Sequence, residues 1–257
     1  MCTTCGCHHP MGSKPRQRHM AIAAKSTKID LERDVLAENN ASAARLRRRF
    51  ARAGILALNL VSSPGSGKTT LLVETIKALR GAVPLVVIEG DQQTRNDADR
   101  IAATGAAVWQ VNTGQGCHLD ARMINGALHQ LSWPNNGLLL IENVGNLVCP
   151  AAFDLGEAAK VVVLSVTEGE DKPLKYPDMF RAAQIMLLNK CDLLPHLNYD
   201  MESAIAYARR VNPDIEIIVL SAQRGDGMPA WLAWLQTQLQ KQLSRAPVHY
   251  RMRQEHR

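Results

Sequence analysis

Between the apolar run Ile55–Val61 (ILALNLV) and the helical pattern LLVETIKAL stands the stretch SSPGSGKTT, residues 62–70. A glycine-bearing turn set between a strand and a helix constrains this chain more than any other feature. Backbone N–H groups of such a loop turn inward, the helix adds the positive end of its dipole, and the resulting concavity holds phosphate. Gly65 and Gly67 permit positive φ and close approach, with Ser66 between them. Lys68 can reach β- and γ-phosphates, and the Thr69 hydroxyl, followed by Thr70, suits a Mg²⁺ ion. The first position of the loop, normally glycine, is Ser62. It stands at the strand exit, away from the lysine and the hydroxyl, and is expected to cost some backbone freedom and little chemistry.

Around this loop, short apolar runs alternate with helix-length segments: ILALNLV, PLVVIEGD, AAVWQVNTG, GLLLIENVG, KVVVLSVTEG, QIMLLNKCD and IEIIVLSA. About seven strands spaced by helices predict an α/β fold of the P-loop NTPase class, with a mainly parallel sheet covered by helices on both faces. A chain of 257 residues accommodates one such domain with modest extensions. Residues 1–28 lack periodicity and read as a flexible metal-binding tail. Residues 29–53 read as an amphipathic helix on Leu31, Val35, Leu36, Leu46 and Phe50, its run RLRRRFAR taken as a solvated face. Residues 54–245 form the P-loop domain, and 246–257 a basic C-terminal tail. In the last helix, Met228, Trp231, Leu232, Leu235 and Leu239 recur at core-packing spacing.

Charge is informative once located. The net +6 divides into +7 over residues 1–60, +4 over 241–257 and −5 between them. Nucleic-acid enzymes spread positive charge over a folded face, so an acidic body argues against nucleic acid as a partner. No apolar run approaches the ~18 residues of a membrane span, and the polar, basic beginning lacks the apolar core of a secretion signal. A cytoplasmic home is expected, with its six cysteines as reduced thiols open to metal or catalysis.

Base identity is written downstream. NKCD (Asn189, Lys190, Cys191, Asp192) closes the strand IMLL. A carboxylate at Asp192 can accept hydrogen bonds from guanine N1–H and the 2-amino group; adenine offers neither donor. Asn189 can hold the other base edge, the Lys190 stem can lie along the ring, and Ser221 and Ala222 can offer backbone N–H to the guanine oxygen. The nucleotide is GTP. At the end of LLLI, ENVGN places Glu142 where it can order Mg²⁺ or water, and Gly145 where its N–H can sense a γ-phosphate. Asp91 is a second acidic group for the Mg²⁺ or, equally, a helix cap before QQTRNDADRI. Gln92 and Gln93 follow it, and neither is assigned to the attacking water.

Two sets of soft donors remain. Cys2, Cys5 and Cys7 in MCTTCGCHH, followed by His8 and His9, can wrap one ion; a planar N,S set suits Ni²⁺ and tetrahedral sulfur suits Zn²⁺. A redox CxxC is the competing reading, though such a pair normally opens a helix inside a folded domain. Cys117 and His118 in GQGCHLDA and Cys149 in GNLVCP lie on loops leaving strands, where three protein ligands would leave one position open. Each is also explicable as an ordinary buried cysteine or structural histidine.

CTTCGC, SSPGSGKTT, EGDQQT, NTGQGCHLDA, ENVGNLVCP, VTEGEDKPLKYP and LLNKCDLL, in this order, resemble the HypB family of GTPases in hydrogenase maturation. The resemblance implies a GTPase acting as a switch, slow hydrolysis and a GTP-dependent homodimer. It further implies a nickel site on Cys2, Cys5 and Cys7, and a nickel or zinc site on Cys117, His118 and Cys149. Implied partners are a HypA-type nickel chaperone and the hydrogenase large-subunit precursor. The Cys and His motifs weigh against a urease or cobalamin GTPase. Lys68, Thr69, Asn189 and Asp192 weigh against a storage or sensor protein with a vestigial nucleotide fold.

Overall fold

The computed structural model describes residues 15–133 and 135–245, with side chains from residue 33 onward. Cys2, Cys5 and Cys7 and the basic stretch 246–257 lie outside the described residues. Contacts divide the chain into two compact units, Met1–Glu38 and Asn39–Arg257. In the first, the described residues form the N-terminal part of helix α1, which runs Pro15–Ala53. The helix therefore begins at Pro15 rather than near residue 29. A proline at the first helical position loses no hydrogen bond, and residues 16–53 contain neither glycine nor a further proline to stop the helix.

The second unit holds seven strands: β1 (Leu56–Ser62), β2 (Leu85–Asp91), β3 (Ala107–Asn112), β4 (Leu138–Glu142), β5 (Ala159–Ser165), β6 (Ile185–Asn189) and β7 (Glu216–Val219). All pair in parallel in the order β3-β2-β4-β1-β5-β6-β7. The expected seven-stranded parallel sheet is therefore the architecture found. Every residue of β1, β4, β5 and β6 is buried, which explains their unbroken apolar runs. The edge strand β3 instead alternates exposed and half-buried residues.

Between the strands run α2 (Lys68–Leu79), α3 (Asn96–Ala102), α4 (Ala121–Gln130), the short α5 (Cys149–Ala152) and α6 (Lys172–Lys175), α7 (Pro177–Ala182), α8 (Met201–Val211) and α9 (Met228–Arg245). One sheet face packs Leu58, Leu60, Leu140 and Val163 against Leu71, Leu72 and Ile76 of α2 and Trp231 and Leu235 of α9. The other packs Ala57, Ile88 and Ile141 against Leu46 and Phe50 of α1 and Ile124 and Leu128 of α4. Beyond these, Val162 and Met186 meet Phe180 and Ala208. Successive residues of one strand thus serve opposite layers, as a period of two requires. Arg45 and Arg48 are exposed, whereas Arg47 pairs with Asp154 at 2.6 Å and Arg49 lies over the Trp133 ring at 4.5 Å, so the basic run is solvated only in part. Val35, expected in the apolar stripe of α1, is 43% exposed. No helix among the described residues is long and apolar enough to cross a membrane.

Parallel pairing points every strand the same way, so β1, β2, β4 and β6 end along one rim. That rim is where open α/β sheets bind ligands.

Candidate functional site

The phosphate loop joins β1 to α2. Gly65 and Gly67 have φ of 76° and 93°, values an L side chain rarely adopts. A Cβ on Gly67 would also lie 2.6 Å from Asn189 Nδ2. Lys68 opens α2 and is buried. Its Nζ donates to Ser62 Oγ at 2.7 Å, and the Ser62 hydroxyl donates to Ser63 O at 2.6 Å. This corrects the expectation that Ser62 stands apart from the lysine: its hydroxyl anchors the ammonium. Ser62 is absent from the positive-φ residues, so its backbone does not require glycine. Burial lowers the Lys68 pKa, opposed by the charges of Glu142 and other nearby carboxylates.

Thr69 Oγ1 donates to Glu142 Oε1 at 2.8 Å, joining the start of α2 to the end of β4. Burial pushes the Glu142 carboxyl up to about 7, although Lys68 and Thr69 pull it down. Its Oε2 is buried with no hydrogen-bond partner among the described residues. A hydroxyl beside a buried carboxylate oxygen fits a hard divalent cation. Asp91 accepts hydrogen bonds from Gln92 N, Thr94 N and Thr94 Oγ1 at 2.6, 3.0 and 2.7 Å. Burial raises its carboxyl, but these bonds outweigh burial and leave it below the usual range. It caps the 91–94 turn, because α3 starts later, with Arg95 in the cap position. Asp91 nonetheless lines one cavity of about 570 Å³ together with Gly65, Lys68, Thr69, Glu142 and Gly145. Both Gln92 and Gln93 are exposed, and Gln92 lines the cavity. Gly145 abuts the loop closely, since a Cβ there would lie 3.1 Å from Pro64.

Glu89 was not singled out by motif. It lies on β2 in register with Glu142 on β4, so both side chains project from the same face of the sheet. A charged residue inside the apolar run PLVVIEGD was the available signal. Burial, then the charges of Glu142 and Asp91, push its carboxyl up to about 8. The folded state thus holds a proton that an unfolded glutamate releases near its ordinary value of 4.5. That contribution to stability is fully present below the unfolded value and is lost as pH rises through the folded one. Glu89→Gln, a neutral isostere, should leave the melting temperature of nucleotide-free protein unchanged at pH 4 and raise it by roughly 5–15 °C at pH 8.5. An equal change at both pH values, measured by thermal unfolding, would refute the assignment.

The base motif is assembled by tertiary contacts. Asn189, ending β6, donates from Nδ2 to Ser66 O at 2.9 Å and accepts from Ala222 N at 3.1 Å. Lys190 adopts φ 63° and donates from Nζ to Gly65 O at 2.7 Å. Ser221 N donates to Asp226 O at 2.8 Å. The N–H groups of Ser221 and Ala222, expected to face the base directly, are therefore engaged within the protein, while the Asn189 amide, with one donor and one acceptor used, stitches the phosphate loop to the loop after β7. Asp192 lies half-buried in the 3₁₀ turn Cys191–His196.

On the same rim, Cys117 and His118 leave β3 while Cys149 opens α5. One donor atom from each lies within 4.8 Å of the others. Cys117 Sγ is 2.7 Å from Cys149 Sγ and 3.7 Å from His118 Nδ1. The hydrogen bond with Cys149, then burial, raise the Cys117 thiol, while burial lowers His118 and favours neutral imidazole. The Phe153 ring packs on His118 at 3.9 Å between centroids, limiting its rotation. Two sulfurs and one imidazole nitrogen form a donor set for a soft or borderline ion.

The profile described as "CobW/HypB/UreG, nucleotide-binding domain" matches residues 56–219. The chain is 62% identical over 227 residues to the hydrogenase maturation factor HypB of Azotobacter chroococcum mcd 1, covering 88% of this chain and 74% of that one. It is 66% identical over 210 residues to HypB of Escherichia coli K12, covering 82% and 72%. Among solved structures, HypB from Helicobacter pylori in complex with nickel superposes with a TM-score of 0.75 at 36% identity, over 82% of this chain and 99% of that one. HypB of Archaeoglobus fulgidus gives 0.74 at 39% identity, over 79% and 99%.

Proposed function

The chain belongs to the HypB family of hydrogenase maturation factors, and from that premise we propose that it is a GTP-hydrolysing nickel metallochaperone. It helps insert nickel into the large subunit of a [NiFe]-hydrogenase. The observation that carries this reading is the convergence of Cys117, His118 and Cys149 within 4.8 Å, on the rim that also bears the phosphate loop. The Helicobacter pylori relative, a complex with nickel, supports nickel as the cargo.

In this reading the backbone of Gly65 to Thr70 and the Lys68 ammonium hold the phosphates, and Asp192 selects guanine. Lys190 supports the ring, while Asn189, Ser221 and Ala222 shape the base pocket. Thr69 and Glu142, with Asp91, would hold Mg²⁺, which when bound neutralises charge on β- and γ-oxygens. Gly145 N–H responds to the γ-phosphate. GTP draws residues 142–146 inward and favours a homodimer; hydrolysis relaxes them and releases the ion. Cys2, Cys5 and Cys7 capture nickel, and the second site takes nickel or zinc. A HypA-type chaperone and the hydrogenase large-subunit precursor are the partners, met in the cytoplasm.

Coupling of this kind is reciprocal, so nickel must shift nucleotide affinity as much as the nucleotide shifts nickel affinity. Nickel titration in GDP and in a non-hydrolysable GTP analogue should give affinities differing about 5- to 150-fold. Equal affinities in the two states would remove the switch from this reading.

A further inference from the structure

Two asparagines flank Val144 and Gly145, and both reach the metal-donor loop. Asn143 Oδ1 accepts from Leu119 N at 3.1 Å, and Asn146 Nδ2 donates to Cys117 O at 3.2 Å. The backbone on either side of His118 is thereby gripped by side chains of the segment that abuts Pro64. Asn146 makes a second contact, since Val148 N, one residue before Cys149, donates to its Oδ1 at 2.8 Å. A single side chain therefore ties both thiol-bearing segments to the residue following Gly145.

The two asparagines differ in mobility of setting. Asn143 is buried, and its Nδ2 donates to Asn59 Oδ1 at 3.1 Å, while Asn59 Nδ2 donates to Glu157 Oε1 at 3.3 Å. It is anchored across the sheet. Asn146 is half-buried in the loop between β4 and α5 and bonds only within the rim loops. Its backbone is bonded directly to Gly145.

The thiol spacing shows what such a movement would do. Two thiolates on one ion, at a metal–sulfur length of about 2.3 Å, lie roughly 3–4 Å apart in planar or tetrahedral geometry. In the structure the two sulfurs and a His118 ring nitrogen lie within 4.8 Å of one another. A small displacement of either loop therefore changes how well the set closes on one ion. We propose that Asn146 is the positioning residue through which the nucleotide sets the metal site: movement of Gly145 against the phosphate loop is passed by the Asn146 amide to Cys117 O and Val148 N, changing the separation of the two thiols. The inference rests on the switch reading above and names its physical link, a contiguous chain of contacts rather than proximity alone.

The test uses the full chain carrying Cys2→Ser, Cys5→Ser and Cys7→Ser, so that only the Cys117, His118 and Cys149 donors are read. Ni²⁺ affinity is measured by chelator competition in GDP and in a non-hydrolysable GTP analogue, and Co²⁺ absorption reports donor geometry in each state. In the background protein the two affinities should differ by about 5- to 150-fold. Asn146→Ala should bring them within about 2-fold of each other and make the Co²⁺ bands the same in both states, with nucleotide affinity changed by less than about 3-fold. Asn146→Asp, nearly isosteric and so insulated from loss of fold, keeps the acceptor for Val148 N but turns a second oxygen toward Cys117 O; it should uncouple equally. Undiminished coupling in either folded variant overturns the role of Asn146 while leaving the switch intact. A background protein whose nickel affinity ignores the nucleotide overturns the switch, and this inference with it.

Discussion

Lys68→Ala should lower GTP hydrolysis by at least about 10²-fold, the usual cost of removing a preorganised donor from a developing oxyanion. The expectation follows from where the ammonium sits. It is buried at the head of α2, held by Ser62 Oγ at 2.7 Å, with burial working against its charge. A buried cation is costly unless paired, so the pocket carries a penalty that phosphate oxygens offset. Alanine removes penalty and reward together. The nucleotide-free variant should therefore melt no lower than the parent while turnover, followed as phosphate release, is lost. Turnover within about 3-fold of the parent would remove Lys68 from the chemistry. Ser62→Gly gives the companion measurement. Because the hydroxyl orients the ammonium, the glycine found at this position in related loops should lower activity here by a smaller factor.

Cys149→Ser and Cys117→Ser should each weaken nickel binding at the second site by about 100-fold or more. Even residues that only orient metal ligands are worth 10–100-fold, and a hydroxyl is a harder, poorer donor than a thiolate. Measured with Cys2, Cys5 and Cys7 replaced, the loss should come without change in guanine nucleotide affinity in the absence of nickel, and should abolish the shift that nickel causes. The site also carries a pH signature. Ligation requires deprotonated thiols, and the Cys117 thiol is raised above its ordinary value by its hydrogen bond with Cys149. Burial holds His118 toward its neutral form. The logarithm of nickel affinity should accordingly rise by about one to two for each pH unit between 6 and 8. A flat profile would exclude thiolate ligation.

Much of this was legible before any coordinates. Runs such as KVVVLSV and IMLLN announce strands buried on both faces, and β5 and β6 are buried throughout. SSPGSGKTT announces its turn through Gly65 and Gly67, whose positive φ follows from local sterics. The start of α1 was less legible, because amphipathic spacing marks where a helix packs, not where its backbone first turns. Residues 16–28 offer no breaker and little apolar pattern, and the helix runs through them.

The site divides in the same way. Chain-local chemistry singled out the candidate residues: a lysine and hydroxyl after a glycine turn, a carboxylate after Asn-Lys, thiols and imidazole at strand exits. Only the tertiary structure decided how they meet. Strand order inserts β4 between β2 and β1, which sets Glu89 beside Glu142 and the Cys149 loop beside that of Cys117. It also turns Ser62 from a tolerated substitution into the partner of Lys68, and makes Asn189 a stitch between loops. The physical reason is range. Dihedral preference and hydrophobic period act over a few residues, whereas hydrogen bonds spanning 84 or 123 positions exist only after the sheet has chosen its neighbours.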